Sequence, residues 1–335
     1  MSGTSNRRWL LARRPEGMIK DSDFTLDTQP VPTPGEGEVV VRVEMFSCDP
    51  TQRGWIGGDT YLPAVEIGAP VRSIGAGRIE SSRHPDYAEG ELVTGILSWQ
   101  EHVLTRPTGA HRLAKLPAGL PLERALSVLG LNGNTAYFGL LDIGKPKPGE
   151  TVVVSGAAGA TGSLVGQIAK VKGCRAVGIA GGAEKCRWLT EVAGFDVAID
   201  YKAGPVDAAL RAACPDGIDV YFDNVGGEIL DAALAQLAMH GRVVLCGAIA
   251  NYNATSQPPG PKNYLNLLIK RGRMEGFIVL DYGERMGEAA QALGGWLAAG
   301  KLTERVDVAE GFENLPKALR RLFEGTNEGK QLLRV

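Results

Sequence analysis

Within VVVSGAAGATGS, residues 152–163, Ala157, Gly159 and Gly162 stand at the spacing of a G-x-G-x-x-G fingerprint, with alanine in the first place. Small residues at these intervals suit one task. The first permits a tight turn, the second lets backbone N–H groups approach a pyrophosphate, and the third lets the following helix pack closely on its strand. The phosphates would lie at the positive end of that helix. Alone the pattern is weak, because the chain holds 45 glycines. Its context strengthens it: Val152, Val153 and Val154 precede the turn, and Leu164, Val165, Ile168 and Ala169 recur at helical spacing after it. That reads as strand, turn and amphipathic helix.

An enzyme that selects a free ribose 2′-hydroxyl places an acid at the tip of the second strand, about 20 residues past the glycines. Here that strand, RAVGIA, ends in Ala180-Gly181-Gly182, with Lys185 just beyond and Tyr201 at the tip of the next strand. A cation and a phenol facing a vacated acidic position suit a 2′-phosphate, which favours NADP(H) over NAD(H). Lys185 also fits as a solvated surface lysine, and Glu184 beside it suits a helix N-terminal charge pointing away. Farther on, RVVLCGAI leads into the polar, proline-rich loop NYNATSQPPGPKN, residues 251–263. A long loop leaving the carboxyl end of a strand lies where open α/β sheets bind ligands. Tyr252, at its start, offers a hydroxyl donor and proton source; it suits lid packing as well, and the loop suits a dimer contact. Cys246 reads as a small buried residue rather than a redox centre, Asp49-Pro50 as a turn, and Tyr61 as either a substrate contact or rim packing.

These residues need elements to hold them. From about residue 24 to 130 the chain is written in short β-like runs broken by Pro and Gly, such as EVVVRVEMF, PVRSIGAGRIE and GELVTGIL. From Thr151 onward apolar strands (TVVVSG, RAVGIA, VAID, IDVYFDNV, GRVVLCGAI, MEGFIVL) alternate with helical patterns, which implies a parallel sheet covered on both faces. After Gly283 come two helical stretches with TERVDV between them and a strand-like end, GKQLLRV. The expectation is a doubly wound α/β domain, residues 129–300, inserted in a β-rich domain made of 1–128 and 301–335.

With 335 residues, 44% hydrophobic and 22% charged, the chain is long enough for two cores. A net charge of −2 gives no field for nucleic acid or an anionic membrane surface. Five scattered cysteines without a C-x-x-C pair suggest neither a disulfide framework nor structural zinc. No run approaches the ~20 apolar residues of a membrane span, and the stretch between Arg7-Arg8 and Arg13-Arg14 is too short for a signal-peptide core. The expected location is the cytoplasm.

Longer segments carry a resemblance over nearly the full length: SCDPTQRGWIGGDTYLPAVEIG, NTAYFGLLDIGKPKPGETVVVSGAAGATGS, NVGGEILDAAL, CGAIANYN, KNYLNLL and GTNEGKQLLRV. The chain resembles the zinc-independent branch of the medium-chain dehydrogenases/reductases, in the group of NADPH-dependent 2-alkenal/curcumin reductases and leukotriene B4 dehydrogenase/prostaglandin reductases. The resemblance implies a GroES-like substrate domain and a Rossmann domain with the active site in the cleft between them, a homodimer, and a sheet edge near GFIVLDY as its contact. It implies that Gly159 to Gly162 hold the pyrophosphate and that Lys185 and Tyr201 contact the 2′-phosphate. Asn224, Cys246, Gly247, Ala248, Ile249, Phe277, Val279 and Asn327 would line the rest of the cofactor, with Tyr252 the active-site tyrosine and Tyr61 a substrate-pocket tyrosine. Zinc-dependent relatives carry Gly-His-Glu where this chain has Gly68-Ala69-Pro70, and the four histidines show no ligand spacing, so no metal is expected. Gly130 to Thr135, GLNGNT, replaces the family's more usual G-M-P-G run beside the nicotinamide.

The chemistry follows from what is missing. Hydride transfer to a plain ketone without a metal or a His/Asp base leaves an unsupported alkoxide. Hydride transfer to the β-carbon of an α,β-unsaturated carbonyl puts the charge on an enolate oxygen, which a positioned hydroxyl can stabilise. Tyr252 is the candidate donor, the substrate a small-molecule enone, and the cofactor NADP(H). Quinone reduction is an alternative, as is a non-catalytic NADPH-binding protein; metal-dependent alcohol oxidation fits worst.

Overall fold

Residues 5–335 are described by a computed structural model. Two units divide at 126/127 and 305/306: one holds the residues up to Leu126 together with Val306–Val335, the other Ser127–Arg305.

In the first unit, β1 (Ser5–Leu11) and β2 (Phe24–Pro30) form an antiparallel pair. They are followed by β3 (Val39–Ser47), helix α1 (Thr51–Gly57), β4 (Arg72–Ser82), β5 (Leu92–Ser98), β6 (His102–Thr105), β7 (Ala114–Lys115) and α2 (Leu122–Leu126). The short helix α1 interrupts what reads in sequence as all-β text. It forms because Gln52, Trp55 and Ile56 share one buried face behind Pro50. Strand β3 alternates little, since Val39, Val40, Val41, Val43, Met45 and Phe46 are all buried; a strand covered on both faces needs no polar side.

The second unit opens with α3 (Leu131–Phe138) and continues as β8 (Thr151–Ser155), α4 (Ala160–Val171), β9 (Arg175–Ala180), α5 (Ala183–Glu191), β10 (Val197–Asp200), α6 (Val206–Ala213), β11 (Ile218–Asp223), α7 (Gly227–Ala235), β12 (Leu237–Leu245), α8 (Leu265–Ile269), β13 (Arg273–Gly276) and α9 (Met286–Ala298). Its six strands are all parallel in the order β10-β9-β8-β11-β12-β13. Val152, Val153 and Val154 have no exposed surface and lie at its centre, as their unbroken apolar run requires. Two glycines, Gly166 of α4 and Gly178 of β9, leave room for the Phe195 ring between them. A Cβ on Gly166 would sit 1.9 Å from the Phe195 ring and one on Gly178 2.9 Å from Ala157 Cβ, so any larger residue would push the layers apart. The MEGFIVL strand proves shorter than its apolar run suggests. Pairing stops at Gly276, and Phe277 turns in beside Phe222, 6.4 Å between ring centroids, before a 3-10 turn from Val279 to Arg285.

The chain then completes the first unit with β14 (Val306–Glu310), α10 (Leu315–Glu324) and β15 (Lys330–Arg334). Strand β15 pairs antiparallel with β3, closing a sheet ordered β14-β15-β3-β4-β5-β7 with β6 also on β3. The parallel-sheet unit is therefore an insertion between two parts of a β-rich one. Among the described residues no helix is long and apolar enough to cross a membrane.

Candidate active site

Strand order reverses between β8 and β11, so the loops after these two strands part at that point and leave the crevice in which doubly wound sheets hold their ligands. After β8 the chain turns at Gly156, whose φ of +59° favours glycine. The tight-turn role expected of Ala157 thus falls one residue earlier. Ala157 is instead fully buried, with its N–H on the carbonyl of Ile179 at 3.0 Å. Gly162 does what the third place of the fingerprint requires: a Cβ there would lie 2.4 Å from the Gly156 carbonyl oxygen. Helix α4 begins at Ala160 with no side-chain cap at Gly159. The N–H groups of Ala160, Thr161 and Gly162 accordingly have no acceptor within the helix. A glycine turn and an uncapped helix start with free-facing N–H groups fit a dinucleotide pyrophosphate.

The loop after β11 is tied to the glycine turn by one buried carboxyl group that the sequence reading did not single out. Asp223, 1% exposed, accepts through Oδ1 from Ser155 Oγ (2.8 Å), Tyr221 Oη (3.0 Å) and the N–H groups of Val225 and Gly226 (3.0 Å each). Burial above all, and then Asp223 itself, push the Tyr221 phenol well above its ordinary pKa, which keeps its proton in place to donate. Asn224 donates from Nδ2 to the Ser155 carbonyl at 2.7 Å. The β11 loop also carries the loop after β12, because the Asp223 carbonyl accepts from Cys246 and Gly247 and the Asn224 carbonyl from Ile249. A signal was present in the text: an acid closing an apolar strand, FDN, at the carboxyl edge.

On the β12 loop, Cys246 and Ala248 are half-buried, and burial helped by Asp223 pushes the Cys246 thiol up to about 12. It is a protonated, small packing residue at neutral pH. The Tyr252 hydroxyl accepts from the Ala248 N–H at 3.2 Å, and a Cβ on Gly247 would come within 3.1 Å of that oxygen. The phenol is thus folded onto its own loop and its oxygen held by the backbone. Phe277 is half-buried and Val279 9% exposed.

At the other end of this edge, Tyr201 is exposed and its ring covers Gly181, where a Cβ would meet ring and hydroxyl at 2.7–2.8 Å. A side chain at this position would displace the phenol. Lys185 is half-buried on the first turn of α5, while Glu184 reaches Arg305 at 3.2 Å and is 70% exposed. The acid next to the lysine therefore points elsewhere. In the substituted segment, Asn132 Nδ2 lies 3.3 Å from Thr161 Oγ1 of the glycine turn, and Asn134 is buried with Oδ1 unpartnered. Gly133 is required, since its Cβ would lie 1.8 Å from the Val128 carbonyl oxygen.

In the first unit, Tyr61 is exposed and bonds Thr51 Oγ1 at 2.8 Å. Asn327 is half-buried, its Nδ2 on the Gly329 carbonyl at 2.8 Å. Asp49, read as a simple turn residue, is buried against Lys330 at 2.6 Å and also takes the Ser47 hydroxyl. A 510 Å³ cavity of this unit, lined by Arg42, Glu44, Glu101, His102, Glu123 and Arg334 among others, contains none of the predicted site residues. Among the described residues no three His, Cys, Asp or Glu side chains stand together as metal ligands.

A six-stranded parallel sheet with a glycine turn at its switch point, inserted in a β-rich unit, defines a two-unit protein of the dehydrogenase class. Residues 7–113 match the model of the N-terminal domain of oxidoreductase and residues 160–294 that of the zinc-binding dehydrogenase. The chain is 44% identical to the NADPH-dependent curcumin reductase of Escherichia coli, over 98% of its own length and 97% of that protein. It is 40% identical to a 2-alkenal reductase (NADP(+)-dependent) of Nicotiana tabacum, over 99% and 98% of the two chains. The crystal structure of CurA in complex with NADPH from Vibrio vulnificus superposes with a TM-score of 0.93 at 42% identity, covering 98% of this chain and 99% of that one. The chain belongs to the medium-chain dehydrogenase/reductase family, in its zinc-independent branch of curcumin, prostaglandin and 2-alkenal reductases.

Proposed function

We propose that this protein is an NADPH-dependent reductase of the carbon–carbon double bond of α,β-unsaturated aldehydes and ketones. The observation that carries this reading is its full-length likeness to an NADPH-dependent curcumin reductase and an NADP(+)-dependent 2-alkenal reductase. Gly159, Ala160, Thr161 and Gly162 would hold the pyrophosphate and Lys185 and Tyr201 the 2′-phosphate, with Asn224, Cys246, Gly247, Ala248, Ile249, Phe277, Val279 and Asn327 along the rest of the cofactor. When bound, NADPH supplies the hydride that goes to the β-carbon of the enone.

The chain's own work is to receive the charge that then builds on the carbonyl oxygen. Tyr252 donates its phenolic hydrogen bond to that oxygen and afterwards its proton. Acceptance from the Ala248 N–H supports this role, since it holds the oxygen and strengthens the phenol as a donor. Tyr61, with Thr51, lines the substrate side.

A second copy of the chain is the proposed partner. Its support is the edge strand β13 and, on α8 and the residue before it, the exposed Tyr264, Leu265, Leu268 and Ile269; a sedimentation mass of a single chain would contradict it. The five free cysteines support a reducing compartment, the cytoplasm.

The test is the initial rate of NADPH oxidation with trans-2-nonenal, nonanal and a benzoquinone, each repeated with NADH. Turnover of nonenal with NADPH, and neither nonanal turnover nor comparable use of NADH, is the expected result. Turnover of the quinone alone would replace the reading with quinone reduction, and tight NADPH binding without turnover of any of them would leave a binding protein.

A further inference from the structure

Arg72, at the start of β4, is a cation without an anion. Its Nη1 donates to the Pro63 carbonyl at 2.8 Å, and its guanidinium lies 5.8 Å from the centre of the Trp55 ring. No carboxylate of the described residues pairs with it, and the residue is half-buried. A guanidinium carries five N–H donors, so most of the fork is uncommitted to protein acceptors. Burial lowers the pKa of this group, and the one acidic group acting on it is the Tyr61 phenol. Among the other half-buried arginines, Arg242 is paired with Glu150 and Arg321 with Asp307, while Arg14 donates to the Ile56 and Val65 carbonyls.

The surroundings of Arg72 are built of recognition groups. Trp55 is 3% exposed and forms a rigid floor, with its indole N–H unpartnered. The Tyr61 ring stands edge-on to Trp55, 6.3 Å away at 77°, and bonds Thr51 at 2.8 Å. Gln52 Nε2 donates to the Arg72 carbonyl at 3.2 Å, fixing the backbone from which the guanidinium projects. A planar cation held over an aromatic ring, with the Tyr61 phenol acting on it and bonded to Thr51, matches a carboxylate, which takes two parallel N–H bonds from the fork and one from a hydroxyl.

We infer that Arg72 is a specificity-determining residue that selects enones whose chain carries a carboxylate, binding that group together with the Thr51 and Tyr61 hydroxyls. The inference rests on the reading that Tyr61 lies on the substrate side.

Two measurements test it. The first is the ratio of kcat/KM for 9-oxonon-7-enoate to that for trans-2-nonenal, two enals of equal length that differ by the terminal carboxylate. The ratio should exceed one in the wild type, fall roughly 10- to 100-fold in Arg72→Gln, as loss of a charge-assisted bond implies, and be partly kept in Arg72→Lys. The second is calorimetric titration of nonanoate into the NADP⁺-loaded protein, which needs no turnover. Its affinity should drop at least about tenfold in Arg72→Gln, with melting curves checking that the variants are folded. If nonenal is reduced but neither the ratio nor nonanoate affinity depends on Arg72, the carboxylate inference is overturned and the enone reading stands. If nonanoate binding depends on Arg72 while no enal is reduced, the enone reading fails and the anion site stands.

Discussion

Tyr252→Phe is expected to lower kcat for an enal about 10²-fold, the typical loss when one oxyanion donor is removed, while NADPH affinity stays within about threefold. The substitution keeps the ring that packs the β12 loop and removes only the hydroxyl. That hydroxyl also accepts from the Ala248 N–H at 3.2 Å, so its loss leaves one backbone donor to water, at a cost of about 1 kcal/mol. Stopped-flow turnover and direct NADPH titration separate the two consequences. A fall in kcat with unchanged affinity identifies a group acting on the reacting oxygen. A parallel loss of affinity identifies a loop that has lost its shape, and a kcat within about threefold of wild type removes Tyr252 from the chemistry.

The second large effect lies in the β-rich unit. Lys330→Met should destabilise the protein by about 3–5 kcal/mol, because it leaves Asp49 buried without its counter-charge. The Lys330 and Asp49 side chains are 2% and 7% exposed, with Nζ 2.6 Å from Oδ1 and 3.1 Å from the Cys48 carbonyl. Asp49 also takes the Ser47 hydroxyl, and its own N–H donates to Gln52 Oε1 at 2.8 Å. The pair thus pins the first residue of β15 to the segment that leads from β3 into α1. At roughly 2–4 °C per kcal/mol for units of this size, the melting temperature should fall by about 6–20 °C. Lys330→Met combined with Asp49→Asn removes the stranded charge and keeps a hydrogen-bonding group for Ser47, so it should regain more than half of the loss. A single variant that melts within about 2 °C of wild type, or a double variant no more stable than the single, would show that the pair contributes little.

The parts of the site that are local in the chain are legible in the sequence, and the parts that depend on distant partners are not. The β8–turn–α4 unit is readable because valine runs and a 3.6-residue period follow directly on one another, and β9 and β10 match RAVGIA and VAID residue for residue. The insertion was legible from TERVDV and GKQLLRV, which form β14 and β15 on the first sheet. Asp49 and Lys330 are 281 positions apart. Nothing around Asp49-Pro50 marks an ion pair. Glu184 likewise finds Arg305 across 121 positions. The displacement of the tight turn from Ala157 to Gly156 has a different origin. The spacing pattern cannot say which of three adjacent small residues takes a positive φ, and glycine bears it where alanine would be strained. β13 ends early because Phe277 packs beside Phe222, a tertiary contact that overrides an otherwise strand-like run.

The most direct test of the account is the fate of the hydride. With NADPH carrying deuterium on the transferred position of C4 and trans-2-nonenal as substrate, the product should be nonanal with one deuterium on C3 and an intact, unlabelled aldehyde group, read by mass spectrometry and NMR. Deuterium on C1, in a 2-nonen-1-ol that keeps its double bond, would show carbonyl reduction instead and contradict the assignment of this protein as a double-bond reductase.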